Sequence, residues 1–212
     1  MYPLMLDVTE RLVVIIGGGS VAVRKATGLI AAGARRVRCV APAFDSGLPS
    51  EVERVKAEFE PMHLRDAVLA FAATDSPEVN DRVVREARRQ GVLVNRADAD
   101  EENPGDFTTP ALWRASAVTV TVSAGGSAAL AARIRDDLAR KLDPLQVRLA
   151  EAMQVLRPLI VRSGLSAARR REILQDLAGP LAMKPFAEGG LDGLKAWLIG
   201  RCPELKEMQD GG

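Results

Sequence analysis

Gly17, Gly19 and Ala22 stand at the spacing G-x-G-x-x-A. A glycine at the first position permits a tight turn, and one at the second lets backbone come close to a pyrophosphate. A small residue at the last position lets a following helix lie near the strand before it. Phosphate charge would then rest on the unpaired N–H groups and positive dipole end of that helix. In a protein without a nucleotide, the same glycines would form only a turn. A carboxylate about 20 residues further on normally takes the ribose of such a ligand. Here the corresponding run is Val40-Ala41-Pro42 and the first acid is Asp45. Ribose contacts are therefore expected from backbone or from Asp45. Arg35, Arg36 and Arg38 lie nearby and leave a 2′-phosphorylated ligand open. His63 is the only histidine, and Cys39 and Cys202 are far apart, so no resident metal site is expected. His63 reads as a structural or exposed histidine, and Cys39 as a buried thiol in an apolar run.

The elements needed to position these residues are legible around them. Leu12 to Ile16 (LVVII) is a short, fully apolar, β-branched run, as expected of a strand buried on both faces. It enters Gly17-Gly18-Gly19, after which Ser20 to Ala32 reads as a helix closed by Gly33. Further strands are expected at Val37–Ala41, Leu69–Ala73 and Val92–Asn95, with a helix from Pro77 to Gln90 capped by Ser76. Short strands alternating with helices indicate a parallel sheet covered on both faces, an α/β, Rossmann-type domain. The pattern then changes. Val118–Val122 (VTVTV) alternates strictly, a glycine loop follows, and Ala128–Leu142 reads as a helix. Beyond Leu145 the apolar spacing is helical only. The expected domains are 1–110 for nucleotide binding, a strand–helix segment over 111–145, and a small helical C-terminal domain over 146–212.

Composition narrows the partners. With 29 basic and 28 acidic residues, the net charge of +1 supplies no global field for nucleic acid or an anionic membrane. Aromatic residues make up 4%, too few for a base-stacking platform. No apolar run reaches the roughly 18 residues of a spanning helix, and Met1–Glu10 lacks the features of a signal peptide. A cytoplasmic protein is expected, with neither nucleic acid nor membrane as a partner.

Several fragments occur together and in order: GGGSVAVRKATGLIAAGARRVRCVAP, ATDSPEVN, NRAD, FTTPALWR, and VTVSAGG with LAARIRDDL. Over about residues 2–142 this set resembles the precorrin-2 dehydrogenase family, related to the dehydrogenase–ferrochelatase part of sirohaem synthase. The resemblance implies NAD-dependent oxidation of precorrin-2 to sirohydrochlorin, in some members with ferrous iron insertion, in a homodimer whose middle segment exchanges strands and helices. It places Gly17, Gly19, Ser20, Val21, Ala41, Pro42 and Thr74 at the NAD site. It also puts Asp98 at the N-x-x-D position implicated in dehydrogenation and metal insertion. A carboxylate held there could serve as general base, because the oxidation removes a hydride and a proton. The alternative for Asp98 is a surface acid in the acidic stretch from Asp98 to Glu102.

The glycine loop Ser123-Ala124-Gly125-Gly126-Ser127-Ala128 is one residue shorter than the family pattern and lacks its proline. Ser123, Gly125 and Gly126 are the substrate contacts this resemblance implies. Ala99 and Pro104-Gly105-Asp106 also depart from the family pattern, which often has another acid and a cysteine there. A chain ending at 212 is expected to lack the methyltransferase half of the trifunctional enzymes.

A polycarboxylate tetrapyrrole needs local positive charge. Arg96 and Arg133, with Arg114 and Arg135 behind them, are the candidates. Two other functions fit the same fingerprint: an NAD(H)-sensing regulatory protein, and an NADP-dependent reductase of another small molecule.

Overall fold

A computed structural model describes residues 1–98 and 105–205, whose backbone groups into two units, Met1–Thr109 and Pro110–Gly212. The first unit is built on a parallel sheet. Strands β1 (Leu12–Ile16), β2 (Arg36–Val40), β3 (Glu53–Val55), β4 (Ala67–Ala72) and β5 (Leu93–Arg96) lie in the order β3-β2-β1-β4-β5. Alternate residues of β1 serve opposite faces. Val13 and Ile15 pack with Ala22 and Ala26 of helix α1 (Ser20–Ala31). Leu12, Val14 and Ile16 pack with Val83, Val84 and Ala87 of helix α2 (Pro77–Arg89). Every residue of β1 is buried, which is why the strand is apolar without alternation. The strand order reverses between β1 and β4, so the crossovers leave a crevice outside the carboxyl ends of these two strands.

Local chemistry sets the helix ends. Ser76 accepts from the Val79 N–H and Pro77 opens α2, as expected of a cap followed by a proline. His63 is structural, since its Nδ1 accepts from the Glu60 N–H within a 3₁₀ turn over Pro61–Leu64. The thiol of Cys39 is buried and donates to the Gly17 carbonyl at 3.0 Å.

The second unit opens with an antiparallel hairpin of β6 (Ala111–Ala115) and β7 (Val118–Val122), followed by α3 (Ala128–Lys141). Its apolar core lies in the helices after that. Leu149, Leu156 and Ile160 of α4 (Pro144–Arg162) meet Ile173 and Leu177 of α5 (Ala167–Ala178), and Phe186, Leu194 and Leu198 of α6 (Pro180–Arg201). Helix α6 breaks at Gly190, whose φ of 57° is a left-handed conformation open to glycine. In contrast to the helical core, no residue of β6 or β7 is fully buried.

Candidate active site

The sharp exit from β1 is set by two glycines rather than one. Gly17 has φ +125°, and a Cβ there would stand 2.1 Å from the Ala73 carbonyl oxygen. A Cβ on Gly18 would stand 2.0 Å from the Ala43 carbonyl oxygen. Both contacts lie far inside van der Waals distance, so the chain after β1 is wedged between the ends of β2 and β4. Backbone hydrogen bonds close the wedge: Gly17 N–H donates to Val40 O at 3.0 Å, Ala73 N–H to Ile16 O at 2.8 Å, and Asp45 N–H to Gly18 O at 2.8 Å. The fingerprint spacing alone does not single out Gly18. Its only signal in the sequence is an unbroken run of three glycines.

Gly19 is different. A Cβ built on it meets nothing within 4 Å. It is the N-cap of α1, no side chain caps the helix, and the first turn holds no acid. The first N–H groups of α1 therefore have no internal partner and no competing carboxylate. A cradle of backbone N–H groups beside open space is what a pyrophosphate requires, so the residues present fit a dinucleotide.

Because the sheet is parallel, the segments after β1, β2, β4 and β5 all emerge at one edge. This brings Gly17, Gly19, Ser20 and Val21 to the same edge as Ala41 and Pro42, Thr74, and Asp98. Asp45 uses a carboxylate oxygen to accept from the Gly47 N–H at 2.8 Å. Arg35 and Arg36 stand at the opposite, amino end of β2. Arg38 is paired with Glu53 at 2.9 Å, and Arg35 with Glu10 at 2.7 Å. Over a five-residue strand the ends are about 13 Å apart, so Arg35 and Arg36 start far from the crevice edge.

Around Asp98 the polar groups interlock. Arg96 donates from Nε to Asp98 Oδ1 at 2.6 Å and from Nη2 to Asp98 Oδ2 at 3.0 Å. Asn80, fully buried on α2, donates from Nδ2 to Asp98 Oδ2 and to the Thr74 carbonyl, each at 3.0 Å. Its Oδ1 accepts from the Thr74 hydroxyl at 2.8 Å and from the Thr74 N–H at 3.1 Å. Asn80 thus ties the loop after β4 to the carboxylate after β5. It lies in the ATDSPEVN fragment, but its spacing assigns it no role, since a lone Asn in a helix gives no signal. The Arg96 guanidinium holds the Asp98 carboxyl below its usual range.

Arg96 itself is not placed as an open anion receptor. Its side chain is 0% exposed, and it also donates from Nη1 to Asp81 Oδ1 at 2.5 Å. Ser123, Gly125 and Gly126 fall in the second unit before the amino end of α3, and Arg133 lies within that helix. There Ser127 caps the helix by accepting from the Leu130 N–H, and Gly125 and Gly126 have φ of 52° and 84°. Arg133 is exposed, and Arg135 is paired with Asp136. The departures at Ala99 and Pro104 and the final residues 206–212 lie outside the described residues. Among the described residues no group of three or more His, Cys, Asp or Glu is placed to hold a metal ion. No described helix is long and apolar enough to cross a membrane.

Known proteins match this arrangement. The siroheme synthase of Nitrosospira multiformis is 36% identical over 209 residues, covering 92% of this chain and 43% of that protein. The siroheme synthase of Chromobacterium violaceum is 36% identical over 225 residues, covering 95% of this chain and 47% of that protein. The chain thus spans less than half the length of these curated relatives. In fold it is similar to a solved structure described as SirC, precorrin-2 dehydrogenase, with a TM-score of 0.76 at 23% identity over 94% of this chain and 100% of that one. A family model described as putative NAD(P)-binding matches residues 4–111. By that match, over half its length, the chain belongs to the putative NAD(P)-binding family.

Proposed function

We propose that this chain oxidises precorrin-2 to sirohydrochlorin with NAD, in the formation of sirohaem. The observation that carries the reading is a carboxylate, Asp98, at the same sheet edge as the nucleotide cradle. Bound NAD supplies the hydride acceptor. The α1 N–H groups and the Gly17–Gly19 turn hold the pyrophosphate, and the segment around Ala41, Pro42 and Thr74 lines the rest of the cofactor site. Asp98, ionised at neutral pH, takes the proton that must leave the macrocycle when the hydride goes. Its hydrogen bonds to Arg96 and Asn80 leave part of the carboxylate exposed: 30% of the side chain. Iron insertion into sirohydrochlorin is the second reaction this reading carries, with Asp98 receiving the pyrrole protons.

The distance of Arg35 and Arg36 from the crevice edge, and the pairing of Arg38 with Glu53, support NAD over NADP. A carboxylate held at the cofactor edge supports an enzyme over a sensor. Substrate carboxylates are assigned to Arg133 and to the loop of Ser123, Gly125 and Gly126. We assign residues 111–145 to dimerisation, because β6 and β7 each have an open edge and Leu112, Leu130 and Leu138 are 45%, 39% and 46% exposed. The cytoplasm is the compartment this reading implies.

An anaerobic assay with precorrin-2 and NAD, followed by absorbance, tests the reading. Asp98→Ala should keep NAD affinity and lower turnover by roughly 10²–10⁴-fold, the range for losing a positioned acid or base. Asp98→Asn should match it, because the amide keeps the shape but cannot take a proton. Full activity in both variants would remove Asp98 from the mechanism. Iron insertion assayed with the same variants shows whether one carboxylate serves both reactions.

A further inference from the structure

We propose that Arg96 and Asp81 form a charge clamp beneath Asp98, with Arg96 as its positioning residue and Asp81 the acid that shares its guanidinium. The inference rests on the reading of Asp98 as the proton acceptor and adds two residues to that site. The geometry is specific. One edge of the guanidinium, Nε and Nη2, grips both Asp98 oxygens, while Nη1 reaches Asp81 on α2. Nη2 also approaches the Pro77 carbonyl at 3.3 Å. With its side chain fully enclosed, Arg96 is built into the protein between β5 and the start of α2. A forked contact to both oxygens fixes the plane of a carboxylate as a single point charge would not. Asn80, the residue before Asp81 on α2, adds a third hydrogen bond.

The charge count explains the second acid. Arg96 and Asp98 alone would be a neutral pair, a poor neighbour for a macrocycle that becomes electron-poor as hydride departs. Asp81 divides the guanidinium's attention, so Arg96 does not serve Asp98 alone. Its side chain is 38% exposed, so pairing it with Arg96 carries no heavy desolvation cost. Among the described residues, the groups at Asp98 and its clamp are Arg96 at the end of β5 and, on α2, Asp81 and the neutral Asn80, with the Glu78 carboxylate near enough to Asp81 for their charges to interact. The carboxyl of Asp98 is already held low by Arg96. The two clamp residues should act on it in opposite senses.

The test is the titration of the Asp98 carboxyl by ¹³C NMR in the full chain, with the acid limb of the kcat/KM–pH profile measured alongside. Arg96→Met should move both upward and lower kcat by roughly 10–10²-fold, as expected for a misplaced catalytic group. Asp81→Asn should move both downward, because Arg96 then serves Asp98 alone. Arg96→Lys should keep the titration near the wild-type position and still lose kcat, since charge survives but the fork does not. Should Arg96→Met fail to fold, the Lys and Asp81 variants decide. An unmoved titration in Asp81→Asn, or shifts of the same sign in the Arg96→Met and Asp81→Asn variants, would overturn the clamp. A wild-type protein inactive on precorrin-2 would sink the proposed function instead, and the NMR titration would still judge the clamp.

Discussion

At the scale of single residues, three consecutive glycines divide between two tasks. Replacing Gly17 or Gly18 with Ala drives a Cβ into a carbonyl oxygen at 2.1 or 2.0 Å, and neither backbone can retreat without pulling β2 or β4 away from β1. A Cβ at Gly19 meets nothing within 4 Å, so Gly19→Asp starts without a clash, fills the space where phosphate belongs and adds a repelling charge. The Ala variants at 17 and 18 should therefore lose thermal stability. Gly19→Asp should keep a wild-type melting temperature and lose NAD binding in calorimetry. Retained affinity in Gly19→Asp would undo the phosphate assignment.

Lys25 carries a second residue-scale prediction. Its ammonium stands 5.1 Å from the centre of the Phe71 ring and donates to the Thr109 hydroxyl at 2.6 Å, with no carboxylate beside it among the described residues. Burial pushes it down to about 8, and the charge on Arg24 adds to the shift. A lysine lowered on folding destabilises the protein fully below pH 8. The penalty fades from about pH 8 to 10.5, as the folded state sheds a proton that the unfolded chain retains. The wild-type melting temperature should thus gain on that of Lys25→Met across this window. A constant difference would show that Lys25 is not held in this way.

The fingerprint and Asp98 were legible because their spacing belongs to a motif. Arg96 was legible only as a positive charge. That its guanidinium turns inward depends on Asp81, fifteen residues away on another element, and sequence spacing does not carry that information.

Among the elements, legibility followed burial. Strands β1 and β4 announced themselves as unbroken apolar runs, and helices α1 and α2 by apolar residues that repeat with the period of the face they bury. β3 is three residues long at the edge of its sheet, with no fully buried residue, and has no period to read. β6 (ALWRA) was visible only as part of a family fragment. Its Trp113 and flanking alanines share a face with the valines of β7, while Leu112 and Arg114 oppose Thr121 and Thr119. A two-stranded hairpin is marginal by itself in water, and this one ends in open edges on both sides. The element-scale expectation is a dimer at micromolar concentration in sedimentation. A protomer of 22.7 kDa that stays monomeric at every concentration would leave the hairpin unexplained.

At the scale of the whole molecule, the apolar clusters divide along the sequence at Thr109–Pro110. The sheet with its two helical faces lies before it, and the helical core of Leu156, Leu177 and Leu194 after it. The nucleotide cradle lies wholly in the first. Ligand binding adds stability only to the cooperative unit that binds, about 2.7 kcal/mol at a ligand concentration a hundred times Kd. A calorimetric scan should therefore resolve two heat-absorption peaks, and saturating NAD should displace one while the other stays in place. Limited proteolysis under the same conditions would show the same split, with fragments of the first unit protected and those of the second cut at an unchanged rate. Two peaks rising together would mean that the halves melt as one.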